Sequence, residues 1–158
     1  MDLLLRQTTS RLKFACVMAA YSFGTSGLLA LALSALGLLA GEGPFADLPE
    51  DYNRLILASA VLFCSPALES LGLVALIVLT SFLTKRVWVQ IVVPTIIWCV
   101  LHSLTYAPWG VIVAPQFIAG SYAYIRWRPQ SFFGALGTTI LIHVLHNLVP
   151  TVAIVLMN

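Results

Sequence analysis

Residues 65–86 read SPALESLGLVALIVLTSFLTKR, an almost unbroken apolar run that ends in a basic pair. Apolar runs of roughly 18 residues or more predict transmembrane helices. The pattern recurs along the 158-residue chain, which is 60% hydrophobic and only 9% charged. Soluble proteins carry charges at about a quarter of their positions. The sequence therefore predicts an all-α, polytopic membrane helix bundle without a separate soluble domain.

The apolar runs predict five transmembrane helices within one membrane domain, residues 1–158. An N-terminal helix at about 14–40 precedes a four-helix core at 54–156, whose spans lie at about 54–84, 87–105, 111–125 and 131–156. The first run follows basic residues, as a cleaved signal peptide would, but it exceeds the usual signal core of about 7–15 residues. We therefore expect it to remain as a membrane helix.

Basic residues occupy alternate ends of these spans. Positively charged loops face the cytoplasm, so the pattern predicts a cytoplasmic N-terminus and an external C-terminus. The same residues are interpreted first as determinants of topology. They are Arg6, Arg11 and Lys13 before span one, Lys85 and Arg86 after span two, and Arg126 and Arg128 after span four. Prolines at 66, 94 and 115 are expected to kink spans two, three and four.

The polar groups inside the spans are few and fall at one depth. Glu69 is the only acidic residue within a span, and all three histidines, His102, His143 and His146, are also intramembrane. At about 1.5 Å per residue, Glu69, His102, His143 and Asn147 lie roughly 20–26 Å from the cytoplasmic ends of three different spans. An ionisable group in a membrane helix faces the bundle interior and usually serves function. We expect these four side chains to converge on one cavity.

This set of groups indicates hydrolysis. A carboxylate and a histidine can together hold and deprotonate a water molecule. A second histidine and an amide can donate hydrogen bonds to a developing oxyanion, and His143 and Asn147 share a helical face at i,i+4 spacing. A carboxylate with histidines can instead bind a divalent metal such as zinc, with Glu69, His102 and His143 as the ligands.

The segments SPALES (65–70), WCVLH (98–102) and HVLHN (143–147) resemble, in this order, the motifs of the CPBP family of intramembrane proteases. That family includes the CAAX prenyl endopeptidases and bacteriocin-immunity proteins. Its motifs are Glu-Glu-x-x-x-Arg after a proline, aromatic-x-x-x-His and His-x-x-x-Asn. The resemblance covers roughly residues 60–150.

The resemblance implies that Glu69 and His102 activate water, while His143 and Asn147 form the oxyanion site. Trp98 stands at the aromatic position and would support His102. The first motif is reduced, because Ser70 replaces its second glutamate. Its arginine position is Val74. His146 has no role in the pattern, and we expect it to be a packed or hydrogen-bonded neighbour.

The resemblance also implies a substrate in or on the lipid bilayer, either a prenylated protein or a leader peptide, and a bacterial cell membrane location. No nucleic-acid partner is expected. Two alternatives remain open: an inactive or divergent member acting as an immunity or scaffold protein, and a haem or metal protein using His102 with His143 or His146. Trp98, Trp109 and Trp127 are interpreted mainly as packing or interfacial aromatic residues.

Overall fold

A computed structural model describes residues 10–39 and 53–156. Its helices are α1 (Arg11–Ala35), α2 (Arg54–Leu83), α3 (Val87–Thr105), α4 (Trp109–Trp127) and α5 (Phe132–Leu156). None of the residues in these two ranges forms a strand. The predicted all-α helix bundle is confirmed. Most of the acidic first loop and the chain before Ser10, which includes Arg6, lie outside the described residues.

Four of the helices, α1, α2, α3 and α5, are long and apolar enough to cross a membrane, consistent with a multi-pass membrane protein. The fourth helix of the bundle, α4, is 19 residues long but less apolar. It packs against all four others, and its buried residues include Gln116, Ser121 and Tyr124. Because α4 is surrounded by protein, it can carry polar side chains that a lipid-facing helix would exclude.

The start of α1 differs from the prediction. The helix begins at Arg11, so Arg11 and Lys13 lie in its first turn and do not precede it. The position of Arg11 is explained by packing, since its guanidinium lies over the ring of Trp127 at 5.4 Å from its centroid. At its other end α1 stops before Gly37, which has a φ of 70°. That left-handed conformation suits glycine and closes the helix.

Basic residues gather at one end of the bundle, where α1, α3 and α5 begin and α4 ends. The Arg128 guanidinium donates to the side-chain oxygen of Gln90, at the start of α3, over 3.0 Å. Arg126 lies 5.8 Å from the ring centroid of Phe14 near the start of α1. Arg11, Arg126 and Arg128 thus pack at the same end of the bundle, and the assignment of that end to the cytoplasm stays a prediction.

Two local features position the functional residues. In α2, a π-helical turn at Ala60–Cys64 ends two residues before Pro66, where the sequence predicted a kink. Between α3 and α4, a β-carbon added to Gly110 would lie 2.1 Å from the carbonyl oxygen of Cys99. Only glycine permits this approach of the two helices, and it brings Trp109 against His102.

Candidate active site

Glu69 lies one turn after the π-helical segment of α2. Its carboxylate accepts a hydrogen bond from the hydroxyl of Ser65, four residues earlier on the same helical face. The side chain is 17% exposed, so it is largely surrounded by protein. The predicted intramembrane carboxylate therefore points into the bundle, where its negative charge has polar partners.

Two histidines from different helices flank the same oxygen of Glu69. Nε2 of His102, on α3, lies 3.5 Å from Oε2, and Nε2 of His143, on α5, lies 3.8 Å from it. The three residues that sequence reasoning placed at one depth are thus within contact distance. Since ionised carboxylates interact favourably with imidazolium groups, the cluster can hold and move protons.

The orientation of His102 follows from its other ring nitrogen. Nδ1 lies 2.9 Å from the backbone carbonyl oxygen of Trp98, which can only accept, so Nδ1 carries a proton and donates. Nε2 then faces Glu69. Two bare acceptors would repel each other, so the Glu69–His102 pair holds one proton in common.

Aromatic rings enclose His102. The ring centroids of Trp109, Phe117 and Trp98 lie 5.1, 5.3 and 5.9 Å from that of His102. Trp98 and Phe117 are themselves stacked, with an interplanar angle of 9°. Trp98 and Trp109 therefore act as packing residues at the site. Their rings limit the hydration of His102 and strengthen its interaction with the carboxylate.

Asn147 is anchored to the π-helical turn of α2. Its Nδ2 donates to the carbonyl oxygen of Val61 over 2.9 Å. In a π-helix this carbonyl would accept from the residue five positions later, which is Pro66 and has no N–H. The N–H of Ser65, the donor in α-helical register, bonds to Ala60 instead. Asn147 thus satisfies a carbonyl left without a partner, and one amide proton remains.

The four predicted side chains line one cavity. The cavity has a volume of about 490 Å³, within the ~300–1,000 Å³ of typical small-ligand sites. Besides Glu69, His102, His143 and Asn147, residues of α1 and α4 contribute to its wall. Much of the remaining lining is apolar. A polar substrate group entering this space would therefore meet its partners at the Glu69 cluster.

Ser70 and Val74, where the first motif is reduced, do not line this cavity. They are only 1% and 3% exposed, and Val74 belongs to the apolar core. The Ser70 hydroxyl has no hydrogen-bond partner among the described residues. Both residues therefore belong to the packed interior of the bundle and not to the cavity wall.

Sequence reasoning missed the contribution of α1 and α4. His146 lies within the same cavity wall, and its Nδ1 is 3.0 Å from the hydroxyl of Ser22 on α1. Gln116 on α4 lies beside Ser22, and Ser26 lines the cavity one turn further along α1. The available signals were an amide after Pro115 inside an apolar run and two serines at i,i+4 spacing.

Within residues 10–39 and 53–156, no set of side chains is arranged to bind a metal ion. No group of three or more His, Cys, Asp or Glu side chains there has an arrangement that could hold one. Glu69, His102 and His143 are close neighbours but do not form such a group.

No protein-family model, curated protein or solved structure matches the chain. The resemblance to the CPBP family consequently stays a prediction from three sequence motifs.

Proposed function

We propose that this chain is an intramembrane endopeptidase of the CPBP, CAAX-protease type. Its substrate would be a membrane-embedded or membrane-associated peptide, such as a prenylated protein or a leader peptide, in a bacterial cell membrane. One observation carries the proposal: the carboxylate of Glu69 lies 3.5 and 3.8 Å from two histidines inside a cavity between membrane helices.

Hydrolysis would begin with a water molecule beside Glu69 and His102. The pair takes a proton from this water as its oxygen attacks the carbonyl carbon of the scissile peptide bond. The C–O bond forms, and the carbonyl π electrons move to oxygen. When the tetrahedral intermediate collapses, the C–N bond breaks and the pair returns the proton to the leaving nitrogen. The products are a carboxylic acid and an amine.

The oxyanion would be stabilised by donors from α5. His143 lies next to the attacking-water position because it contacts the same oxygen of Glu69. Asn147, one turn further along, is fixed by its bond to Val61 and keeps one amide proton available. Donors fixed in this way need not reorganise during the reaction, which is the main advantage of such sites.

The reduced first motif is compatible with this mechanism. A second glutamate at position 70 and an arginine at position 74 would lie in the packed interior, i,i+4 on α2, where they could neutralise each other. Their joint replacement by Ser70 and Val74 leaves no unpaired charge. If the chain is instead an inactive immunity or scaffold protein, no cleavage products should depend on Glu69.

The proposal is tested by proteomics of cells that produce the wild-type chain, Glu69→Ala or Ser81→Ala. Ser81 lies on the same helix and does not line the cavity, and its hydroxyl bonds only to the carbonyl oxygen of Val78 on that helix, so its variant is the matched control. We expect cleavage products that are present with wild type and Ser81→Ala and lost with Glu69→Ala at equal protein levels. Identical peptide profiles in all three would contradict a proteolytic function.

A further inference from the structure

His146 lies in the wall of the same cavity, yet the proposed mechanism gives it no task. It is only 8% exposed and follows His143 by three residues on α5. The ring of Phe23, on α1, packs at right angles against it, with centroids 5.9 Å apart. A buried histidine held on a cavity wall by a second helix is a candidate for contact with whatever occupies the cavity.

The hydrogen bonds of Ser22 determine what His146 presents. The hydroxyl of Ser22 has one proton and three neighbours: the carbonyl oxygen of Ala19 at 3.0 Å, Oε1 of Gln116 at 3.2 Å and Nδ1 of His146 at 3.0 Å. Two of these are oxygens that only accept. If the hydroxyl proton went to Nδ1, the oxygens of Ser22 and Gln116 would face each other at 3.2 Å without a proton, so the hydroxyl donates to Oε1 of Gln116 and Nδ1 donates to the Ser22 oxygen. Nε2 of neutral His146 is then an acceptor.

Gln116 adds the complementary donor. Its Oε1 accepts from the Ser22 hydroxyl, which leaves the Nε2 amide group of the side chain to donate to another partner. Gln116 is 3% exposed and lines the cavity. Ser26, one turn after Ser22, is 5% exposed, and within the described part of the chain its hydroxyl has no partner. The acceptor of His146 and the donors of Gln116 and Ser26 thus lie together in a largely apolar cavity wall.

An extended peptide has the matching requirement. Each peptide unit carries an N–H and a C=O, and leaving either without a partner away from water costs about 1–3 kcal/mol. A substrate reaching the Glu69 cluster must place its neighbouring peptide units along the cavity wall. In an extended chain the N–H and C=O of one residue point to the same side, so the acceptor of His146 and the amide donor of Gln116 can pair with those two groups.

We infer that His146 and Gln116 form a subsite that binds the backbone N–H and C=O of one residue of an extended substrate, with Nε2 of His146 accepting the N–H and Ser22 positioning the ring. This inference rests on the proposed peptidase function, since it names how that substrate is held. It gives α1 a role in substrate binding that the three motifs do not contain.

The test uses the full chain in lipid nanodiscs, with Glu69→Ala to prevent turnover. The probe is a fluorophore-labelled, N-acetylated and C-amidated tetrapeptide of leucine and alanine, together with versions in which one amide at a time is replaced by an ester. Each ester removes a single N–H donor. We expect one ester position to raise Kd about three- to tenfold, the usual range for one hydrogen bond.

Two further variants assign that donor to His146. In His146→Phe, which keeps an aromatic ring but no acceptor, the sensitive ester should bind as well as the amide. Ser22→Ala should weaken the ester effect, because the ring is no longer held. Thr25→Val is the matched control, since the Thr25 hydroxyl bonds only to carbonyls of its own helix, and it should keep the full ester effect.

The outcomes separate this inference from the proposed function. One outcome is ester-sensitive binding that depends on His146, together with no cleavage of the peptides by the wild-type chain. It would support the subsite and overturn the peptidase proposal. Cleavage of peptides whose ester profile is the same in His146→Phe would overturn the subsite alone. Absence of binding for every peptide, or an equal loss in Thr25→Val, would also overturn the subsite.

Discussion

The side-chain amide of Asn147 on α5 donates a 2.9 Å hydrogen bond to the backbone carbonyl oxygen of Val61 on α2. This bond joins the helix that carries His143 to the helix that carries Glu69. It depends on the π-helical turn and on Pro66, because together they leave the Val61 carbonyl without a donor from its own helix. This one hydrogen bond thus gives the Val61 carbonyl of α2 its partner and fixes the side chain of Asn147, a proposed oxyanion donor.

Replacing Asn147 should therefore affect folding and rate together. In Asn147→Ala the Val61 carbonyl loses its partner, at a cost of about 1–3 kcal/mol, and the melting temperature in detergent should fall. Loss of an oxyanion donor should lower kcat about 10²–10³-fold. Thr138→Val, which removes a hydroxyl bonded within α5, is the control for stability. A wild-type kcat in folded Asn147→Ala would exclude the oxyanion role.

Ser65 should support the carboxylate without being required for catalysis. Its hydroxyl donates to Glu69, and a hydrogen bond to a charged group contributes about 1.5–3 kcal/mol. Ser65→Ala should lower kcat about tenfold or more and should also lower the melting temperature, because the bond contributes to folding as well. Steady-state kinetics beside the Ser81→Ala control measure this effect. Equal rates in the two variants would show that the Ser65 bond does not position Glu69.

Ser70 and Val74, which stand where the CPBP motif has a glutamate and an arginine, allow a separate prediction. Ser70 and Val74 are nearly inaccessible, so Ser70→Glu alone should bury an unpaired carboxylate and destabilise the protein by about 2.5–3.5 kcal/mol. Adding Val74→Arg should restore part of the loss through an i,i+4 pair. Thermal unfolding in detergent compares the three proteins. An equally stable single variant would contradict the packing described for α2.

Gly72 should be required for the position of Trp98. A β-carbon at this position would lie 2.8 Å from Cζ2 of Trp98, whose carbonyl orients His102 and whose ring stacks on Phe117. Gly72→Ala should cost about 1–3 kcal/mol from overpacking and should reduce activity. Gly137→Ala is the control, because an added β-carbon there meets nothing within 4 Å. Equal activity of both variants would show that Trp98 can shift without consequence for His102.

The helix bundle and the Glu69 cluster could be predicted because charged or imidazole side chains stand out in apolar runs. A carboxylate within a membrane span has few stable positions, so Glu69 had to face other polar groups. The depth estimate brought His102 and His143 to the same layer without any knowledge of helix packing. The structure places their ring nitrogens at one oxygen of Glu69.

The contribution of α1 could not be predicted in the same way. Serine and threonine are common in membrane helices and often bond to their own backbone, as Thr25 does. The i,i+4 spacing of Ser22 and Ser26 does not reveal which helices their shared face contacts, and only the packing of α1 against α4 and α5 brings Ser22 to Gln116 and His146. The π-helical turn was equally hidden, since the sequence marks Pro66 but not the register of the turn before it.

The most direct test of the central claim is cleavage by the purified protein in lipid nanodiscs. A peptide identified from the cellular cleavage products would be incubated with wild type, Glu69→Gln, His102→Ala and the Ser81→Ala control. Because Glu69 and His102 act as one proton-transfer pair, we predict a loss of at least about 10²-fold in kcat for either site variant and wild-type activity for the control. Wild-type rates in folded Glu69→Gln and His102→Ala would contradict the proposed mechanism.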